Sequence, residues 1–355
     1  MAEGGGRRGR IVAGLVGGVV GVAAAGVAAG MAAERALLRR RRRVRPDPHV
    51  DERFGERVAD EYRTVVTAEG VPLHVEITGP KDAPLTVVFV HGFCLDMGTF
   101  HFQRKALSQV DGVRTVSYDQ PGHGRSGRLE KGEYTLAMLA SALRKVIEEC
   151  VPRDSAAVLV GHSMGGMTIM ILAELMPELF TSGRIAGAVL VSTSAGGVTF
   201  GLPEVVTRFR GQLLPLIASA GTVSAPILDR ARASSTNLAR QLTRKYGFGP
   251  DASPALVSYV EQMNSATSTE SLARYLRALY THACEPGLSA LKHVPVLIIC
   301  GDEDQVTPVE HTRLLARDLP HAELVEIEAA GHVALLEHSD TVNATLLSFI
   351  RKIGA

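Results

Sequence analysis

The chain has 355 residues, 46% hydrophobic and 21% charged, enough for one large domain or two ordinary ones. Its net charge of +1 conceals a division: residues 1–45 hold ten arginines against Glu3 and Glu34, while the rest holds 28 basic residues against 35 acidic ones. An acidic body argues against nucleic acid as a partner, because phosphate binding needs a basic face. The four cysteines (Cys94, Cys150, Cys284 and Cys300) lack a CxxC spacing, and a body of this size needs no covalent staples, so they read as reduced thiols.

After a basic head at 1–10 comes "IVAGLVGGVVGVAAAGVAAGMAA" at 11–33, 23 residues without a charge. A helix crossing a bilayer needs roughly 20 apolar residues, and a signal-peptide core only about 7–15. The segment is expected to be a transmembrane anchor, although glycine, alanine and valine give it a modest drive to insert. Arg7, Arg8 and Arg10 precede it; Arg35, Arg39 to Arg43 and Arg45 follow it. The excess of positive charge after the span keeps that side in the cytoplasm and opposes export as a cleaved signal. The same cluster attracts anionic headgroups. These features lead to the expectation of a single-pass membrane protein whose body, residues 61–355, faces the cytoplasm. Gly14/Gly18, Gly17/Gly21 and Gly26/Gly30 repeat at the four-residue spacing that packs spans closely, a weak sign of self-association in so glycine-rich a segment. Residues 34–60 form the arginine-rich juxtamembrane segment and a polar, proline-broken linker.

The body begins with "TVVTAEGVPLHVEITG" (64–79), which alternates about Glu69-Gly70 and predicts a hairpin. "LTVVFV" (85–90) is a continuous apolar run, suited to a strand buried on both faces. Further strands are expected at 113–119, 156–161, 185–192, 294–300 and 322–328. Helices are expected at 135–150, 166–176, 309–319 and 341–353. This alternation predicts an α/β fold with a mostly parallel sheet flanked by helices. From 199 to 291 the strands cease and the pattern is helical with breaks. That interval reads as an inserted cap between a first core part (61–198) and a second (292–355).

Residues 158–166, "VLVGHSMGG", place Ser163 on a tight strand-to-helix turn crowded with glycines. G-x-S-x-G in this context presents a serine as a nucleophile. A serine hydroxyl is weak and needs a base, itself oriented by an acid. After the run at 294–300 comes "GDEDQVTP", offering Asp302, Glu303 and Asp304; after 322–328 comes "AAGHVALLEH", offering His332. Both follow strands on the sheet edge that carries Ser163, in the order Ser, acid, His. His91, His123 and His162 belong to other loops near this edge, and His321 reads as an exposed turn residue. A developing oxyanion needs two donors: the N–H of Met164 behind the serine and, from the loop "HGFCLDM", the N–H of Phe93. Cys94 reads as a small lining residue.

"HGF" (91–93), "DQPGHGRSG" (119–127), "GHSMGG" (161–166), "GDEDQVTP" (301–308) and "AGH" (330–332) together resemble the signature set of the α/β-hydrolase superfamily. The resemblance covers residues from about 62 to 355 and is nearest to capped serine esterases, monoacylglycerol-lipase-like enzymes and haloperoxidase-like proteins. It implies Asp304, four residues before the proline, as the acid, with Asp302 shaping the loop; Asp119 and Arg125 would brace theirs. It also implies a catalytic triad of Ser163, Asp304 and His332, and a serine carboxylic-ester hydrolase acting on apolar or lipid-derived esters. Acyl transfer, C–C bond hydrolysis or perhydrolysis with the same triad are alternatives, and a non-catalytic binding protein is a further one. No metal cluster or dinucleotide motif appears, so no cofactor is implied.

Overall fold

The hairpin expected about Glu69-Gly70 forms as β1 (Glu61–Val66) and β2 (Pro72–Thr78), paired antiparallel from Glu61↔Ile77 to Val66↔Pro72. The computed structural model describes residues 47–56, 59–196 and 236–354. The expected span at 11–33, the arginine cluster behind it and the first part of the expected cap lie outside these residues. Among the described residues, no helix is long and apolar enough to cross a membrane.

Six more strands complete the sheet: β3 (Leu85–Val90), β4 (Val113–Tyr118), β5 (Ala156–His162), β6 (Ile185–Val191), β7 (Val296–Gly301) and β8 (Glu323–Ile327). Their order is β1-β2-β4-β3-β5-β6-β7-β8. β2 meets β4 antiparallel, and every later pairing is parallel. The apolar runs become strands because both faces are covered: every residue of β3, β4 and β7 is buried. β8 lies at the edge, and there only Ile327 is fully buried. Along β3 the side chains divide the core. Val88 and Val90 face α2 (Leu136–Cys150) and α3 (Met164–Leu175), whereas Val87 and Phe89 face α1 (His101–Leu107), α6 (Pro254–Ala266) and α11 (Ser339–Gly354). Each such side chain contributes about 1.5–3 kcal/mol when fully buried.

The helices follow equally local causes. Thr135 caps α2 by accepting the N–H of Met138, and Leu136, Leu139, Ala140, Leu143, Val146 and Ile147 supply its buried stripe. Between β6 and β7 lie α5 (Thr236–Gly247), α6 and α7 (Thr269–Tyr280), followed by the short α8 (Leu288–Leu291); α4 (Glu178–Thr181) precedes β6, α9 (Val309–Asp318) follows β7, and α10 (Ala334–Glu337) precedes α11.

Two segments differ from expectation. Residues 97–107 form a 3₁₀ turn and α1 where no helix was expected; Gln103 and Arg104 sit buried on it, bonded to Leu335 O and Glu76. The second is the linker: Phe54 stacks on Tyr259 of α6 at 4.4 Å and meets Phe102 edge-on at 6.0 Å, while Glu52 accepts from His101 at 2.8 Å and Lys105 at 2.9 Å. The residues of this stretch are mostly polar, but the rings of His49 and Phe54 and the carboxylate of Glu52 fasten it to α1 and α6.

Candidate active site

Ser163 occupies the turn between β5 and α3 with φ 54° and ψ −118°, a conformation that strains any residue with a Cβ. The turn is held on every side. Ser163 N–H donates to Val191 O at 2.9 Å, and its carbonyl accepts from Gly166 N at 2.9 Å and Thr193 Oγ1 at 2.7 Å. The neighbouring glycines are there for space. A Cβ on Gly161 would stand 2.7 Å from Gly166 N, and one on Gly165 would collide with Val90 O. Only bare backbone lets helix, strand and elbow approach so closely.

His332 comes from the loop after β8 and reaches the serine: Nε2 lies 3.0 Å from Ser163 Oγ, and Nδ1 lies 2.8 Å from Asp304 Oδ2. Asp304 Oδ1 accepts the N–H groups of Val306 at 2.8 Å and Thr307 at 2.9 Å, and Oδ2 also accepts Thr307 Oγ1 at 2.8 Å. The carboxylate therefore accepts a hydrogen bond from Nδ1–H, which leaves the lone pair of Nε2 facing the serine hydroxyl. Burial pushes the Asp304 carboxyl up, but His332 and the Thr307 donors outweigh it and hold the group below its usual range. Of the three acids in "GDEDQVTP", Asp304 is buried against His332, whereas Asp302 and Glu303 are exposed. His321 is exposed, as expected.

The loop after β3 lies against the serine, since a Cβ on Gly92 would stand 3.1 Å from Ser163 Cβ. Among the described residues, the N–H groups of Phe93 and Met164 donate to no protein acceptor. Met164 follows Ser163 directly, and Phe93 follows the Gly92 that lies against it. Two histidines fix this loop. His91 Nε2 accepts from Gln120 N at 2.8 Å, which puts its proton on Nδ1 to donate to Gly92 O at 2.8 Å. His123 Nε2 accepts from Cys94 N at 3.1 Å and its Nδ1–H donates to Pro121 O at 3.0 Å. Burial depresses His91 to about 4 and His123 to about 3, so both are neutral, as their accepting nitrogens require. Cys94, at φ 62°, lines the same turn. Asp119 accepts the N–H groups of Met97 and Arg125 at 2.9 and 2.8 Å, and Arg125 pairs with Glu76; both brace their loop.

The sequence placed the histidines near the edge without giving them work. His162 donates from Nε2 to His332 O at 2.9 Å, and burial lowers it to about 3. Thr307 was also missed, although an Asp followed three residues later by Thr is a turn signature that could have shown it.

Residues 86–339 match the family described as alpha/beta hydrolase fold. The chain is 30% identical over 287 residues to the dihydrolipoyllysine-residue acetyltransferase component of an acetoin cleaving system from Pseudomonas putida, covering 78% of this chain and 66% of that one. It is 30% identical over 269 residues to a non-heme haloperoxidase from Rhodococcus erythropolis, covering 74% and 91%. Among solved structures, a thermophilic esterase from Thermogutta terrifontis superposes with a TM-score of 0.65 at 22% identity, over 83% of this chain and 100% of that one. A bromoperoxidase from Bacillus anthracis also gives 0.65, at 20% identity over 82% and 100%. These two likenesses speak for the fold.

Proposed function

The chain belongs to the alpha/beta hydrolase family, and on that premise we propose that it is a serine hydrolase that opens carboxylic esters through an acyl-enzyme. The observation that carries this reading is the continuous chain from Asp304 through His332 to the Ser163 hydroxyl, at 2.8 and 3.0 Å. Ser163 Oγ attacks the acyl carbonyl as His332 Nε2 takes its proton. Asp304, kept ionised, holds the ring and stabilises the imidazolium. The N–H groups of Phe93 and Met164 receive the oxyanion. His332 then returns the proton to the departing alkoxide, and water, deprotonated by the same ring, releases the acid.

Hydrolysis of p-nitrophenyl esters from acetate to palmitate, with Ser163→Ala as control, tests this. Turnover that disappears in the variant supports a serine esterase, and equal background rates in both proteins overturn it. The chain length preferred reports what the cap admits. A second reading, perhydrolysis by the same triad, is favoured by the likeness to the Rhodococcus haloperoxidase; peracid formed from acetate and hydrogen peroxide at rates rivalling ester hydrolysis would replace the first.

Residues 199–291 would be the cap, 11–33 a membrane anchor and the arginine cluster its cytoplasmic flank. The 23 uncharged residues and the arginine bias support that reading, and an anchor beside an acyl site favours apolar or lipid-derived esters. Alkaline carbonate extraction of the full chain from membranes tests the anchor: release into the soluble fraction would rule it out.

A further inference from the structure

Glu337 ends the single turn of α10, five residues after His332, and is not part of the triad. Its carboxylate joins two backbone segments far apart in sequence: Oε1 accepts Gly249 N at 2.8 Å and Oε2 accepts Gly331 N at 2.7 Å. Gly331 precedes His332, and Gly249 follows α5 in the helical insertion. A third bond closes the same seam, Val333 N donating to Gly247 O at 2.9 Å. Here the backbones touch directly. A Cβ on Gly331 would stand 2.6 Å from Phe248 Cα and 2.7 Å from Gly249 N, and one on Gly249 would strike Ala329 O. Ala329 itself is held at φ 56°, a strained geometry for alanine that persists only where the surroundings impose it.

We propose that Glu337 is a positioning residue that clasps the insertion to the loop carrying His332, so that seating residues 247–249 and seating the base are one event. This rests on the reading of His332 as the base of a serine hydrolase. The residue type fits the task. Two converging N–H donors need two acceptor oxygens, which a carboxylate supplies; a glutamine would turn its NH₂ toward one of them. The site holds the carboxylate against a real desolvation penalty. Burial pushes the group up to about 7, and the two N–H bonds and Arg244 of α5 pull the other way, while the charge of Asp304 adds to the rise. An ionisable group kept at this cost is explained by the two segments it joins.

The test is hydrogen exchange by mass spectrometry on the full chain, paired with the rate at which a fluorophosphonate phosphonylates Ser163 with loss of fluoride, both far below the unfolding temperature. Glu337→Gln is expected to speed exchange about tenfold or more in both 247–250 and 329–333, to leave β3 to β6 unchanged, and to slow phosphonylation about tenfold. If the carboxylate merely added stability, its loss would lower the thermal midpoint without moving the phosphonylation rate. Unchanged exchange in either segment overturns the clasp. If Glu337→Gln does not fold, Glu337→Asp carries the test: one methylene shorter, it is expected to keep Gly331 protected and release 247–250, and protection of both at the wild-type level overturns the proposal. Should the wild type not react with the fluorophosphonate, the hydrolase reading fails, while the exchange still decides whether the two segments are joined.

Discussion

The Nε2–H of His162 donates to the backbone carbonyl of His332 at 2.9 Å, so the residue before Ser163 anchors the residue whose imidazole meets the Ser163 hydroxyl. Side chain and backbone of His332 are thus held from opposite sides, by Asp304 and by His162. An imidazole gripped at one end only could tilt away from the serine.

Removal of that grip should be visible in catalysis. His162→Ala is expected to lower kcat on an ester substrate about 10- to 100-fold, the scale on which small misplacements act, with KM little changed. It should also cost about 1–3 kcal/mol by leaving a buried carbonyl unpaired, read as a shift in urea midpoint. Wild-type kcat in a folded variant would show that Asp304 alone orients the ring.

The proposed triad should fail as a unit. Ser163→Ala and His332→Ala are each expected to lower kcat by about a millionfold, and the double variant hardly further, because each loss already removes nucleophilic attack. Additive losses, measured by single-turnover kinetics, would mean that the two residues serve separate steps.

His123 gives a prediction about acid. Its folded value, depressed to about 3 by burial, lies below the 6.5 expected for an unfolded histidine. Between these values the unfolded chain binds a proton that the folded chain refuses. The stability from a neutral His123 is therefore complete above pH 6.5 and lost as the pH falls toward 3. His123→Gln, which keeps an acceptor near Nε2, should be less stable than wild type at pH 7.5. Its disadvantage should shrink by up to about 1.4 kcal/mol per pH unit below 6.5, measured as paired urea melts; a constant gap would mean that His123 is charged in the fold.

Glycines in this chain should divide by what surrounds them. Gly165→Ala drives a Cβ into Val90 O and is expected to cost about 1–3 kcal/mol and most of the activity, since the elbow must move. Gly183→Ala, at φ 82° with nothing within 4 Å, should cost about 1 kcal/mol and leave kcat alone. Calorimetry and ester assays on both variants check the contrast.

The sheet was legible because its strands are buried on both faces, which writes an uninterrupted apolar run into the sequence at Leu85–Val90 and Val296–Gly301. The hydrogen-bonded chain of Ser163, His332 and Asp304 was legible because each residue follows a strand on one sheet edge. Helix α1 was not, because its buried face carries Gln103 and Arg104, whose partners Leu335 and Glu76 are remote in sequence. Glu337 escaped for the same reason, as did the packing of Phe54 on Tyr259: polar and lone aromatic residues acquire meaning from partners that spacing does not reveal.

Ser163 stands at φ 54°, where a Cβ costs about 1–3 kcal/mol. Glycine would sit there without that strain, so a change that relieves the elbow is also one that deletes the proposed nucleophile. Thermostability and turnover pull against each other at this one position. A screen that selects this protein for heat resistance alone should enrich chains that have lost Ser163, and any such selection needs catalysis as its gate.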